Sequence, residues 1–322
     1  MKQIECLELN SQMIDTINLF FLSTIGTKVI ISGGYGAATH TELLDLKTGH
    51  NAQLPDLPTA KEGVTGGMLG DMPLVIGGNE NGDEVLQIDK VITPFPSHLK
   101  EKRESAATTP FKQALWVTGG YKKIKSTELI QRDGNIIAGP ELPVGADCHA
   151  IVEVLPDEQY ILIGGWTEDC QYSKATYFFH VNNERWTRGP DLIEGRRWHT
   201  AGIIQDSVTH DPYIVVVGGY NGEYLRSVEK MKVGSEKWDQ GKQPLISICH
   251  SVEFDQFSST RDTFAYTSWW SSNDSLGQEP RCPRWRDQPY VNNVVFFLLP
   301  LGMQEWHFNL ARDQAKVDEG KK

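Results

Sequence analysis

The stretch Tyr213–Trp238, "YIVVVGGYNGEYLRSVEKMKVGSEKW", decides the fold. An apolar, β-branched run ends in Gly218-Gly219, then come an aromatic, a polar turn, an alternating segment and a tryptophan. A strand closed by two glycines implies a turn with positive φ or a close approach of backbones. The arrangement is not unique in the chain. "KVIISGGYG" places a pair at Gly33-Gly34, "PLVIGGNENG" at Gly77-Gly78, "ALWVTGGYKK" at Gly119-Gly120 and "YILIGGWTED" at Gly164-Gly165. The first glycines stand 44, 42, 45 and 54 residues apart, a period that signals repeat architecture. A degraded sixth copy, "TFAYTSWWSSND", carries Thr267-Ser268 where the pair belongs, 49 residues on, with Trp269 after it.

The remainder of each unit repeats too. Strands follow the turn at "TELLDL" (Thr41), "STELIQ" (Ser126), "KATYFFHV" (Lys174) and "SVEKMKV" (Ser227), and Trp186 and Trp238 close the best copies. Proline-containing exits recur as "LPDLP" (Leu54–Pro58), "GPELP" (Gly139–Pro143), "GPDL" (Gly189–Leu192) and "QPL" (Gln243–Leu245). Each unit reads as four short strands separated by turn signals, and no window sustains a helical period.

This pattern resembles the kelch repeat over nearly the whole chain. The resemblance implies an all-β, six-bladed kelch-type β-propeller of four-stranded antiparallel blades around a channel, closed by pairing of terminal strands. The expected domain is 1–310, with blades at about 12–58, 59–100, 101–143, 144–193, 194–245 and 246–310 and a charged tail at 311–322. Lys2–Leu9 is the favoured closing strand, and Met303–Leu310 is the other candidate. The glycine pairs, Trp186 and Trp238 are assigned to architecture.

Composition bounds the function. The 322 residues are 39% apolar, enough for a large core, and a formal charge of −11 argues against a nucleic-acid partner. No apolar run is long enough to span a membrane, and "MKQIECLELN" lacks the apolar centre of a signal peptide. The five scattered cysteines, Cys6, Cys148, Cys170, Cys249 and Cys282, show no CxxC spacing and fit a reducing compartment, so a cytoplasmic location is expected.

Propellers resembling this one bind with two sets of loops on one face, those after the glycine pair and those before each first strand. The first set presents Tyr35, Asn79, Tyr121, Trp166, Tyr220 and Trp269, five aromatics in six places. The second presents Lys61-Glu62, Arg103-Glu104, Asp147, Arg196-Arg197 and Ser247, with Lys122, Lys123 and Lys125 adding charge in the third blade. In kelch proteins that recruit acidic peptides, arginines at the pre-strand places hold carboxylates; Arg103, Arg196 and Arg197 match. The long segment after Trp270 concentrates Arg281, Arg284, Trp285, Arg286 and Tyr290 and is expected to set specificity.

The expected function is a non-catalytic protein-interaction module, an adaptor. It would dock a partner peptide or loop through Tyr35, Arg103, Tyr121, Lys122, Trp166, Arg196, Arg197, Tyr220, Trp269, Arg284 and Trp285. The partner is a protein of unknown identity, cytoskeletal or a ligase substrate. No cofactor and no metal are expected. His149, His199 and His250 recur at one place in successive units, but equivalent residues on separate blades cannot converge on one ion at ligand distances of about 2 Å. The alternatives are a small-molecule or metal-dependent enzyme at the channel mouth, of the mutarotase, specifier or oxidase kind, and an actin-binding propeller. Glu168 and Asp169 read as a solvated turn.

Overall fold

The computed structural model describes residues 28–34, 39–45, 48, 50–122, 124–169, 171–206 and 209–241, together with the backbone of 21–25, 265–267 and 296–298. Every regular element among them is a strand; none is a helix, so no helix is long and apolar enough to cross a membrane. Blade 1 consists of Phe21–Ile25, Lys28–Ser32, Thr41–Asp45 and Asn51–Gln53. Blade 2 consists of Val64–Leu69, Met72–Gly77, Val85–Ile88 and Ile92–Pro94. Blade 3 follows with Ala107–Phe111, Ala114–Thr118, Thr127–Gln131 and Ile136–Ala138. Blade 4 has Ala150–Leu155, Gln159–Ile163, Thr176–His180 and Arg185–Arg188. Blade 5 has Thr200–Gln205, Pro212–Val217, Val228–Lys232 and Asp239–Gln240.

Within each blade the strands pair antiparallel in sequence order, and the first strands of successive blades lie side by side around a central axis. This is a β-propeller. The second strand of each blade is buried on both faces, which accounts for its continuous apolar run rather than an alternating one. Its faces pack against the neighbouring blades. Ile30 meets Val75 and Ile88 between blades 1 and 2; Leu74 and Ile76 meet Leu115 and Val117 between blades 2 and 3. Phe111, Trp116, Tyr160 and Phe179 fill the third junction, and Val152, Ile161, Val216 and Trp238 the fourth.

Both glycines of every described pair take positive φ, for example 59° and 119° at Gly119 and Gly120. Space is equally decisive. A Cβ on Gly119 would lie 2.4 Å from the Ala146 carbonyl oxygen and 2.7 Å from His149 Cε1, both in the next blade's entry. The pair therefore turns the chain and lets the neighbouring blade close on it.

Among the described residues there are five four-stranded blades, where six were expected. The expected sixth, 246–310, contributes one two-stranded sheet, Ala265–Thr267 with Phe296–Leu298. The rest of 246–310, Ser268 included, lies outside the described residues. Both candidate closing strands, Lys2–Leu9 and Met303–Leu310, lie outside the described residues.

Candidate functional site

Three residues before each first strand build the mouth of the channel: Lys61-Glu62-Gly63, Arg103-Glu104-Ser105, Ala146-Asp147-Cys148 and Arg196-Arg197-Trp198. The first of each trio points inward. Arg103 is 1% exposed; it donates to the carbonyls of Gly119 (2.7 Å) and Ser126 (3.0 Å), and through Nε and Nη2 to the Glu128 carboxylate. Arg196 repeats this with the Gly218 carbonyl, the Ser227 hydroxyl and Glu229. Lys61 does so with Gly77, Glu80 and Glu84. Burial lowers the pKa of both arginines, and the facing glutamates oppose that shift. Arg103 and Arg196, expected as anchors for a ligand, are thus fully occupied inside the blades. Their charge is satisfied by the strand glutamate of their own sheet. Blade 4 carries Ala146 for the cation and Tyr177 for the glutamate, so the pair is lost as a unit.

The third residue of each trio adopts a left-handed conformation, with φ of 62° at Gly63, 55° at Ser105, 51° at Cys148 and 53° at Trp198. The turn lines up a hydrogen-bond ladder from blade to blade. Ser105 N–H donates to the Gly63 carbonyl (2.8 Å), Cys148 N–H to Ser105 (3.0 Å) and Trp198 N–H to Cys148 (3.0 Å). Three non-glycine residues in this region cost about 1 kcal/mol or more apiece, and the ladder offsets it. The second residue of each trio is bonded to the post-glycine loop of its own blade. Asn79 N–H donates to the Glu62 carbonyl, Tyr121 N–H to Glu104, and Arg197 and Tyr220 exchange bonds of 3.0 and 2.8 Å. Asp147 pairs with Trp166 in the same way. The two loop sets are therefore one surface.

Blades 4 and 5 carry an aromatic cluster there. Their post-glycine loops fold back on themselves, bridging Trp166 to Tyr172 and Tyr220 to Tyr224. Trp166 and Tyr172 meet edge to face at 4.7 Å, Tyr172 and Tyr220 at 5.7 Å, Trp198 and Tyr220 at 5.8 Å, and Tyr220 and Tyr224 at 5.2 Å. The Arg197 guanidinium sits among them, 3.7 Å from the Trp198 ring centre, 4.9 Å from Trp166, 5.5 Å from Tyr220 and 5.6 Å from Tyr172. Burial raises the Tyr172 pKa, so its hydroxyl stays neutral. Blades 2 to 4 bring carboxyls instead: Glu62, Glu104 and Asp147. Burial, then the charges of Glu62 and Asp147, push Glu104 up to about 7.

The Kelch motif matches residues 206–244, spanning the strand, glycine pair and tryptophan of blade 5. That match and the five four-stranded blades together support a kelch-repeat β-propeller. The solved structure of YjhT is similar to it at 15% identity with a TM-score of 0.65, covering 77% of this chain and 89% of that one. Identity that low speaks to the fold alone. No curated protein matches the chain.

On this kelch propeller the expected contact residues separate into groups. Trp166, Arg197 and Tyr220 converge in the cluster. Tyr121 is 49% exposed and Lys122 is exposed, both on blade 3 and outside that cluster. Tyr35, Trp269, Arg284 and Trp285 lie outside the described residues, as does His250. Tyr172, Trp198 and Tyr224 were not singled out from sequence, although a second aromatic at the far end of each loop ("WTEDCQY", "YNGEY") is the signal for two of them.

His149 and His199 are internal to the blade junctions of the kelch propeller. His149 is 2% exposed with its Nε2 2.9 Å from the Thr118 hydroxyl, which itself donates to the Ala107 carbonyl (3.1 Å). The hydroxyl must then accept from an Nε2–H tautomer. Burial lowers its pKa to about 3, with Arg103 adding to the effect. His199, 1% exposed, lies against Gly164 in the same pose, but Ile163 stands where Thr118 does, and burial again lowers its pKa well below the ordinary value. Among the described residues no group of three or more His, Cys, Asp or Glu is placed to hold a metal ion. Glu168 and Asp169 are exposed.

Proposed function

We propose that this kelch propeller is a non-catalytic, cytoplasmic protein-interaction module, an adaptor that docks a partner peptide or loop on the face made by the post-glycine and pre-strand loops. One observation carries the reading: four aromatic rings from two adjacent blades gather around a single guanidinium at the channel mouth, with Tyr224 packed on one of them. Tyrosine, tryptophan and arginine are the residues in which binding hot spots are enriched. They are pre-positioned by backbone ladders, so little ordering cost remains for binding. Tyr121 and Lys122 stand at the blade 3 margin of this face.

The test compares partner capture by the wild type with capture by a Tyr172→Ala/Tyr220→Ala double variant whose thermal unfolding is checked separately. Recovery of the specific partner is expected to fall by about tenfold or more. Equal recovery by a folded double variant would sink the docking reading.

A second reading, an enzyme acting on a small molecule at the mouth, draws on Glu104. A carboxyl with a pKa of about 7 can exchange a proton with substrate at neutral pH. Small-molecule turnover that Glu104→Gln abolishes, with partner capture unchanged in Tyr172→Ala/Tyr220→Ala, would favour the enzyme.

A further inference from the structure

We infer that the mouth takes a partner segment of mixed charge: a carboxylate seated on Arg197 and a cationic side chain seated on the arc of Glu62, Glu104 and Asp147. This rests on the docking reading and adds the chemistry of the docked segment.

Arg197 differs from the other two arginines of the pre-strand trios. Arg103 and Arg196 spend their donors on a carboxylate and on carbonyls inside their own blades. Arg197 makes no ion pair among the described residues, and its buried Nε has no hydrogen-bond partner. Four rings surround it yet offer only their faces, which attract a cation without using its N–H groups. A guanidinium held in place with donors unspent is matched by a carboxylate, whose two oxygens accept parallel bonds.

Charge reverses on the same ring of positions. The trio residue equivalent to Arg197 is Glu62 in blade 2, Glu104 in blade 3 and Asp147 in blade 4, joined by the Gly63–Ser105–Cys148–Trp198 ladder. Burial and the charges of Glu62 and Asp147 oppose the ionisation of Glu104, and an ammonium or guanidinium placed among the three relieves that repulsion. The mouth is therefore dipolar: acidic along blades 2 to 4, cationic at blade 5. A uniformly acidic segment would meet the arc with like charge, and a uniformly basic one would meet Arg197, so each is disfavoured as a whole.

Three capped peptides serve as probes: tetraglutamate, tetralysine, and a hexapeptide of two glutamates, two glycines and two lysines. Binding is read by calorimetry and by the fluorescence of Trp166 and Trp198. The mixed peptide is expected to bind more tightly than either homopeptide. Arg197→Gln should weaken mixed-peptide and tetraglutamate binding by about tenfold and should not weaken tetralysine. Glu104→Gln should weaken only the mixed and tetralysine probes. A mixed peptide that binds Arg197→Gln as well as wild type overturns the inference, as does the absence of binding by every probe into the millimolar range. Against the natural partner the two proposals separate. Loss with Tyr172→Ala/Tyr220→Ala but full retention with Arg197→Gln removes the charge assignment and keeps the docking face; retention by both removes both.

Discussion

Glu104 shows how position on the rim changes the chemistry of one side chain. Its backbone is held by the Tyr121 N–H, and its carboxyl lies over Gly63 beside two other acids. The folded pKa of about 7 exceeds the ordinary value of 4.5, so the native state holds this proton more tightly than the unfolded chain does. Stability from the group is complete below the unfolded pKa and is lost as pH rises towards and through 7. Glu104→Gln should therefore unfold at a higher urea concentration than wild type at about pH 8. The gain should be on the order of 1–2 kcal/mol after allowance for solvent screening, vanishing near the unfolded pKa. A variant no more stable than wild type in alkali would contradict the assignment. His149 acts with the opposite sense. Its folded pKa of about 3 lies below 6.5, so the unfolded state takes up the proton first and stability falls as pH drops between the two values.

At the scale of the element, the loop entering blades 3 and 5 is tied to the third strand by a buried arginine–glutamate pair. Glu128 also accepts the backbone N–H of Lys100 (2.7 Å), and Glu229 that of Ile193 (2.6 Å), so each carboxylate fixes the incoming chain. Removing one member strands the other without water. Arg103→Ala is expected to cost about 3–5 kcal/mol in urea unfolding. Adding Glu128→Tyr recreates the Ala146 and Tyr177 combination of blade 4 and should recover part of that loss. A double variant less stable than the single one would show that Glu128 matters more to the N–H groups than to the arginine.

The whole molecule is held by its blade junctions. Trp238, 2% exposed, packs with Ile161, Ile163 and Val216 between blades 4 and 5 and donates Nε1–H to the Pro190 carbonyl (3.1 Å). Trp186 bonds the Glu141 carbonyl (2.8 Å) between blades 3 and 4. In blades 1 and 2, Asn51 and Ile92 occupy the strand position of Trp186, and a groove of about 710 Å³ lined by Leu43, Leu54, Met72 and Ile88 opens at their junction. Because each blade touches only its neighbours, weakening one junction weakens the stack of blades locally. Trp238→Ala is expected to cost about 3–5 kcal/mol, read as a lowered urea midpoint. A change under about 1 kcal/mol would mean that the junction relaxes to fill the space.

The repeat, the strand order and the architectural part of the glycines and tryptophans were legible in the sequence, because they depend on local properties. Apolar β-branched runs, a paired positive φ and a recurring period need no knowledge of neighbours. The site divided along the same line. Sequence alone put aromatics and arginines at one face, but it could not distinguish Arg196 from Arg197, adjacent residues of one type. Tertiary structure separates them: the chain's direction at the rim sends Arg196 inward to Glu229 and Arg197 upward among Trp166, Tyr172, Trp198 and Tyr220. Which way a side chain points, and whose charge it meets, is set by residues tens of positions away that only the packing of blade on blade brings together.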